Sequence, residues 1–150
     1  RGHMAPAADM TWSETAMKES FYFSNMCPQN PGLNRGAWKD LEESIRKWVK
    51  KDSAIAIVCG PLVDKRDTTI GRNEVKIPHA FFKVIVSPYV TTPRGIGFVF
   101  KNEKEDAPLS AYVVSIDSVE ALTGMDFFSE LPDELENRLE SQNNIFDWEL

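Results

Sequence analysis

The chain has 150 residues, a length that fits one domain with a substantial core. Hydrophobic residues make up 42% and charged residues 27%, which is typical of globular domains, and no apolar run is long enough to span a membrane. The net charge of −6 argues weakly against a nucleic-acid partner, because phosphate binders are usually basic.

Short elements are predicted for the first third of the chain. Residues 1–10 should form the end of a strand that runs into a loop, since Pro6 argues against a helix. A short turn of helix fits within residues 11–22, and the aromatic run 21–23 is typical of a short strand. Residues 27–36 contain two prolines and two glycines, which predicts a loop.

The clearest helix is predicted over residues 37–51. Its apolar positions recur at helical spacing and share one face; they are Trp38, Leu41, Ile45, Trp48 and Val49. Glu42 and Arg46 flank this face and can form an i,i+4 pair.

Strands dominate the rest of the chain. Residues 54–59 form a continuous apolar run before Gly60, which predicts a buried strand. Residues 64–76 should form a polar loop, and strands are expected over 81–86, 95–100 and 112–116. Strands with few crossover helices predict an α+β fold with a largely antiparallel sheet.

Two short helices are predicted near the C-terminus. Asp117 or Ser118 can cap the first, which should run through Leu122 and end at Gly124. Pro132 should open the second, which should extend to about residue 141.

Two residue types near the N-terminus point to phosphodiester hydrolysis. His3 can supply a base near neutral pH, and the oxygen of Asn34 is a hard neutral ligand suited to Mg²⁺. Taken alone, His3 could merely satisfy a hydrogen bond, and Asn34 could be a loop or cap residue before the helix. His79 lacks a comparable setting and is interpreted as structural.

Several sequence blocks resemble one known family. The first block is R-G-H-M-A-P at residues 1–6, the second runs from Ser24 to Glu42 and reads S-N-M-C-P-Q…L-N-R-G-A-W-K-D-L-E, and further matches include V-C-G-P-L at residues 58–62. They are similar to the signatures of the DNA/RNA non-specific endonucleases, which have the ββα-metal fold. The resemblance covers nearly the whole chain.

Membership in this family would imply a Mg²⁺-dependent enzyme, with Mn²⁺ as a substitute, that cleaves DNA and RNA and leaves 5′-phosphate and 3′-hydroxyl ends. It implies His3 as general base, Asn34 as metal ligand and Glu42 as the residue holding a metal-bound water. Asn25 would help to organise the site. Arg46 and Arg1 would lie near the phosphate, although Arg46 could also form an ordinary pair with Glu42.

The family signature begins with an aspartate that would precede Arg1. We therefore expect residues 1–150 to be a single nuclease domain that lacks its N-terminal strands. A companion N-terminal segment or a homodimer could cover the open sheet edge. The resemblance implies a secreted or periplasmic protein. The alternative function is that of an inactive remnant that only binds nucleic acid or protein.

The two cysteines, Cys27 and Cys59, do not define a redox compartment. We expect two separate thiols, although pairing remains open at this stage. A zinc site that combines them with His3 and His79 lacks the usual ligand spacing and is rejected.

Overall fold

The structure is a computed structural model that describes residues 1–148. Its helices are α1 (Glu14–Glu19), α2 (Pro31–Arg35), α3 (Ala37–Asp52), α4 (Ile116–Thr123) and α5 (Asp133–Glu140). Its strands are β1 (Gly2–His3), β2 (Met26–Cys27), β3 (Ala56–Leu62), β4 (Thr69–Ile70), β5 (Val75–Lys76), β6 (Ala80–Ser87), β7 (Arg94–Lys101) and β8 (Val113–Val114). The predicted α+β class with antiparallel strand pairing is confirmed.

The main sheet has the strand order β3-β6-β7-β8, and every neighbouring pair in it is antiparallel. Strand β6 is buried along its whole length because it lies between β3 and β7. Alternate residues of a strand point to opposite faces. Phe81 and Ile85 therefore join the core beneath one face, whereas Phe82 and Val84 join the core beneath the other.

Helix α3 covers the first of these faces. The predicted helix over residues 37–51 is confirmed and extends to Asp52. Its apolar stripe is buried, and the ring of Trp38 lies edge-on to the rings of Phe81 and Phe100 at 5.7 and 5.9 Å between centroids. Such aromatic contacts add to the free energy gained by burying these large side chains.

Helices α4 and α5 cover the second face. Ile116, Val119 and Leu139 from these helices pack with Phe82 and Val84 of the sheet. Both helices were predicted, but α4 begins earlier than expected because Ser115 caps it, accepting a hydrogen bond from the Ser118 amide.

Several local predictions were wrong. Residues 21–23 form no strand, because the three aromatic side chains are exposed and the chain turns there into a 3-10 helix over Phe23–Asn25. Residues 27–36 are not all loop. Asn30 caps α2 through its side chain, and Pro31 occupies the first turn, where its missing N–H costs nothing.

The apolar run 54–59 does not form a central buried strand. Strand β3 instead spans Ala56–Leu62 at the edge of the sheet and leaves Ile57 and Val58 partly exposed. Pro61 is tolerated within it because an edge strand needs no second ladder of hydrogen bonds.

Strands β1 and β2 pair with each other, with His3 opposite Met26, and a hydrogen bond joins β1 to α3. The indole N–H of Trp38 donates a hydrogen bond to the carbonyl oxygen of His3 at 3.3 Å. This β-β-α unit is the frame that holds the candidate site. Within residues 1–148, the structure contains no helix that is long and apolar enough to cross a membrane.

Candidate nuclease site

His3 lies at the end of β1, with its imidazole partly buried against the edge of the Phe21 ring, 4.5 Å away between centroids. Its Nε2 atom is buried and has no hydrogen-bond partner among the described residues. Burial lowers the pKa of His3 below its usual value, which favours the neutral imidazole. A neutral ring with a free nitrogen can accept a proton.

Two side-chain amides converge beside Gly2. A Cβ built at Gly2 would lie only 1.8 Å from Oε1 of Gln29 and 2.8 Å from Oδ1 of Asn34. A side chain at position 2 would therefore displace the amide oxygens of Gln29 and Asn34 from their present positions. Gln29 is buried, and neither of its amide atoms has a hydrogen-bond partner within residues 1–148.

The sequence predicted a loop around Asn34, but the structure places this residue in helix α2. The alternative role as a helix cap does not apply to it, because Asn30 caps α2, and Gly36 precedes α3, which begins at Ala37 without any side-chain cap. Its oxygen is directed toward Gly2, next to His3 in the chain.

Asn25 organises the turn that follows His3. Its side-chain oxygen accepts from the amide of Ala5 at 2.9 Å, and its Nδ2 donates to the carbonyls of Ala5 and Ser20, each at 2.8 Å. Both amide hydrogens are used in this way. Asn25 therefore fixes the backbone that follows His3, and its role in the nuclease site stays a prediction.

Glu42 lies on the flank of α3 and is largely buried. Its Oε1 is 4.0 Å from Nζ of Lys83, an amine only 2% exposed that also lies 4.1 Å from the centre of the Trp38 ring. Burial raises the pKa of Glu42 from 4.5 to about 7, and the attraction of Lys83 opposes that shift only in part.

Arg46 does not pair with Glu42. Its Nη1 donates to Oδ1 of Asp9 at 3.0 Å, joining α3 to the 3-10 turn Ala7–Met10 that follows the first motif. Both side chains are about one-third exposed, so the guanidinium remains open to solvent on one side. Arg1 is exposed at the start of β1.

The residues around Gly2 fit a hard divalent cation. Two neutral amide oxygens converge there, and one of them belongs to a buried side chain whose hydrogen-bonding capacity is unused. Oxygen ligands suit Mg²⁺, which keeps several of its own waters and needs few protein ligands. The amides of Asn34 and Gln29 are the groups that would hold or orient such an ion and its waters.

Gln29 and Lys83 were missed at the sequence level. Gln29 stands in the quoted block S-N-M-C-P-Q, but nothing in a single glutamine predicts its burial. Lys83 interrupts the apolar run F-F-K-V, and a charged residue within a central strand is the feature that could have drawn attention to it.

The sequence analysis assigned no role in the site to His79, Cys27 or Cys59. His79 is half exposed, and its Nδ1 lies 3.0 Å from a carboxylate oxygen of Asp67, away from the β1–β2 pair. Cys27 and Cys59 are free thiols, as expected, and burial raises the pKa of each.

Comparison with known proteins identifies this arrangement. The family model described as DNA/RNA non-specific endonuclease matches residues 1–134. The chain belongs to this family. Its members are metal-dependent nucleases, and the predicted resemblance is confirmed.

Named relatives cover the same region. The chain is 34% identical to the mitochondrial Nuclease 1 of Schizosaccharomyces pombe, over 88% of this chain and 47% of that protein. It is also 34% identical to the mitochondrial endonuclease G of Homo sapiens, over 85% of this chain and 47% of that protein. The chain thus spans about half the length of these curated relatives.

A solved structure confirms the fold. The crystal structure of a complex between EndoG and EndoGI superposes with a TM-score of 0.82 at 33% identity, covering 90% of this chain and 61% of that chain. The ββα-metal nuclease fold predicted from the sequence blocks is therefore confirmed.

The expectation of a secreted or periplasmic protein was wrong. The relatives from Schizosaccharomyces pombe, Saccharomyces cerevisiae and Homo sapiens are all named as mitochondrial nucleases. The comparisons therefore point to mitochondria instead. The error arose because family resemblance was used to infer a compartment, and members of one fold family occur in different compartments.

Proposed function

We propose that this chain carries the catalytic centre of a Mg²⁺-dependent endonuclease that hydrolyses phosphodiester bonds of DNA and RNA with little sequence preference. The observation that supports this most is the pairing of a free, buried His3 Nε2 with two converging amide oxygens beside Gly2. Family membership supplies the reaction class, and this geometry supplies a base and a cation site within one short stretch of chain.

In the proposed reaction, Nε2 of neutral His3 takes a proton from a water molecule as the water oxygen attacks phosphorus. The bond between phosphorus and the 3′ oxygen breaks, and the leaving oxygen takes a proton from a second water molecule to become a hydroxyl. The hydroxide that remains is neutralised when His3 releases its proton. The products then carry 5′-phosphate and 3′-hydroxyl ends. The low pKa of His3 keeps the base unprotonated near neutral pH.

Asn34 would bind the cation, and Gln29 would hold or orient its ligands. When bound, Mg²⁺ stabilises negative charge on the phosphate and on the leaving oxygen, and Mn²⁺ can take its place. Glu42 would orient a water of the ion from the flank of α3. Arg46 and Arg1 would contact phosphate oxygens, with Arg46 held in position by Asp9.

Low sequence preference is expected because none of these groups is suited to reading base edges. Trp38, Phe81 and Phe100 are buried in the core and cannot stack on bases. The exposed rings of Phe21, Tyr22 and Phe23 could do so, but stacking on aromatic rings tolerates any base. Contacts to phosphate carry little sequence information. DNA and RNA should therefore both be substrates.

Plasmid nicking tests this proposal. The full chain should nick supercoiled plasmid in Mg²⁺ and lose activity in excess chelator. Asn34→Ala should need more Mg²⁺ for half-maximal activity, by about tenfold or more, while Asn73→Ala, an exposed amide in the β4–β5 turn, should behave as the parent.

Three results would contradict the proposal. They are full activity in chelator, an unchanged Mg²⁺ requirement in Asn34→Ala, and binding of nucleic acid by the parent without any cleavage. The last result would support the alternative of an inactive binding domain.

A further inference from the structure

A cluster of carboxylates lies between α4 and α5, on the sheet face opposite α3. Asp117 and Glu120 are three residues apart on α4, and Glu136 and Glu140 are four residues apart on α5, so each pair shares one side of its helix. Asp126 joins them from the connecting segment. Oxygens of Asp117, Glu120 and Glu140 lie within 4.8 Å of one another, as do those of Asp126, Glu136 and Glu140.

Glu140 is common to both groups and is the most unusual member. Its side chain is only 6% exposed, and its Oε1 is buried without a hydrogen-bond partner. Oε1 of Glu136 is likewise buried and unpartnered. Glu140 therefore differs from the exposed carboxylates Asp117 and Asp126, which solvent can hydrate.

No Lys or Arg compensates these charges. None of the five carboxylates forms an ion pair with a basic side chain in the part of the chain that the structure describes. A buried carboxylate without a partner is unfavourable, and repulsion among the neighbouring acids adds to that cost. A bound cation would remove both penalties.

We infer that Asp117, Glu120, Asp126, Glu136 and Glu140 form a binding site for a divalent cation of the calcium class, separate from the proposed catalytic centre. The site joins α4, the segment after it and α5. Its occupation should therefore stabilise the helical layer that covers the second face of the sheet.

The number and type of ligands favour Ca²⁺ over Mg²⁺. Mg²⁺ usually takes only one or two carboxylates and keeps most of its waters, whereas Ca²⁺ takes about six to eight oxygen ligands, which several carboxylates can supply. Carboxylates are also hard ligands that bind Ca²⁺ in flexible geometry, and neither group contains the nitrogen or sulfur that zinc prefers.

Thermal unfolding of the full chain, first stripped with chelator and dialysed, tests the site at constant ionic strength. Added Ca²⁺ should raise the melting temperature by about 5 °C or more at a hundredfold excess over its dissociation constant. Mg²⁺ should act only at higher concentration. Titration calorimetry with CaCl₂ should show binding that the variants below remove.

The variant Glu140→Gln should lose the Ca²⁺-dependent rise in melting temperature. In chelator its melting temperature should equal or exceed that of the parent, because a buried charge has been removed. Glu134→Gln, on the exposed side of the same helix, should keep the full rise. Asn34→Ala should also keep it, which separates this site from the catalytic cation and makes the result independent of nuclease activity.

Two further variants, Asp117→Asn and Asp126→Asn, show which of the two carboxylate groups binds the ion. They also test the proposed site if Glu140→Gln does not fold. At least one of them should lose the Ca²⁺ effect. The inference is wrong if Ca²⁺ at millimolar concentration leaves the melting temperature of the parent unchanged. It is also wrong if Asn34→Ala alone removes the effect, or if the cluster variants all retain it.

Discussion

Gln29 carries a buried amide whose oxygen and nitrogen both lack a hydrogen-bond partner among residues 1–148. Natural proteins satisfy most buried polar groups, so an unsatisfied one calls for a functional explanation. Its Oε1 converges with Oδ1 of Asn34 beside Gly2, within the proposed cation site. We interpret the unused amide as a group that is completed by the cation or by its waters.

Replacing Gln29 by Leu should separate function from stability. The melting temperature in chelator should stay equal to that of the parent or rise, because an unpaired buried amide is removed. Mg²⁺-dependent nicking should fall by about tenfold or more. A variant that loses stability but keeps its specific activity would show that Gln29 has a structural role instead.

Glu42 offers a second residue-level test, through pH. Its pKa in the folded chain, about 7, lies above its usual 4.5 because the carboxylate is buried. The protonated form is therefore favoured by folding. This contribution to stability is fully present below pH 4.5 and is lost as pH rises through 7, with an upper limit of about 3 kcal/mol.

Glu42→Gln should remove that loss. The difference in melting temperature between variant and parent, measured in chelator, should grow in favour of the variant from pH 4.5 to 8. Comparing the two curves cancels the contribution of Glu140, whose pKa is also raised to about 7. A difference that stays constant with pH would show that Glu42 ionises at its usual pKa.

At the scale of elements, the sequence predicted what depends on periodicity. The α3 stripe from Trp38 to Trp48 and the apolar runs of β6 and β7 produced correct elements, since burial of one helix face or of a central strand leaves a regular pattern. The short elements α2 and β2 were missed. Helix α2 depends on the Asn30 cap and β2 depends on its pairing with β1, so neither has a local pattern long enough to detect.

The candidate site shows the same division. His3, Asn34 and Glu42 were found because their motifs are contiguous in the chain. Lys83 and the Arg46–Asp9 pair were not, because they depend on contacts between distant segments that only the folded chain brings together. The true partner of Arg46 is 37 residues away rather than four.

The edge strand β3 was misjudged because an apolar run alone does not reveal which strand lies at the centre. Ile57 and Val58 are 39% and 37% exposed, and a groove of about 650 Å³ opens between this strand and α3. An exposed apolar edge with free backbone groups is prone to pair with another chain.

We therefore predict that the 150-residue chain self-associates through β3 as its concentration rises. Val58→Lys should shift the protein toward monomer in sedimentation velocity, because a charge at an edge strand disfavours pairing. Val75→Lys, at an exposed position in the separate β4–β5 hairpin, serves as the control. A parent that is monomeric at high concentration would exclude this edge as an interface.

At the scale of the whole molecule, charge is divided between the two sides of the sheet. The C-terminal half of helix α3 carries Arg46, Lys47 and Lys50 on one side, whereas Asp40 and Glu43 lie in its first half. The carboxylate cluster lies between α4 and α5 on the other side of the sheet. A chain with net charge −6 can thus present a basic surface to a polyanion.

The salt dependence of kcat/KM tests whether α3 faces the nucleic acid. If about four basic residues contact phosphate, kcat/KM should fall roughly a hundredfold between 50 and 200 mM NaCl. Lys47→Gln should reduce the slope of log(kcat/KM) against log[NaCl] by about one. Arg138→Gln, on α5, should leave that slope unchanged. Equal slopes in both variants would show that α3 does not face the nucleic acid.

The most direct test of the central claim is the rate of Mg²⁺-dependent plasmid nicking by His3→Ala beside His79→Ala. If the free Nε2 of His3 is the general base, His3→Ala should lose about a hundredfold or more in turnover with little change in nucleic-acid binding. His79→Ala should remain within about twofold of the parent, because His79 only contacts Asp67. A well-folded His3→Ala protein that nicks at the parental rate would contradict the account.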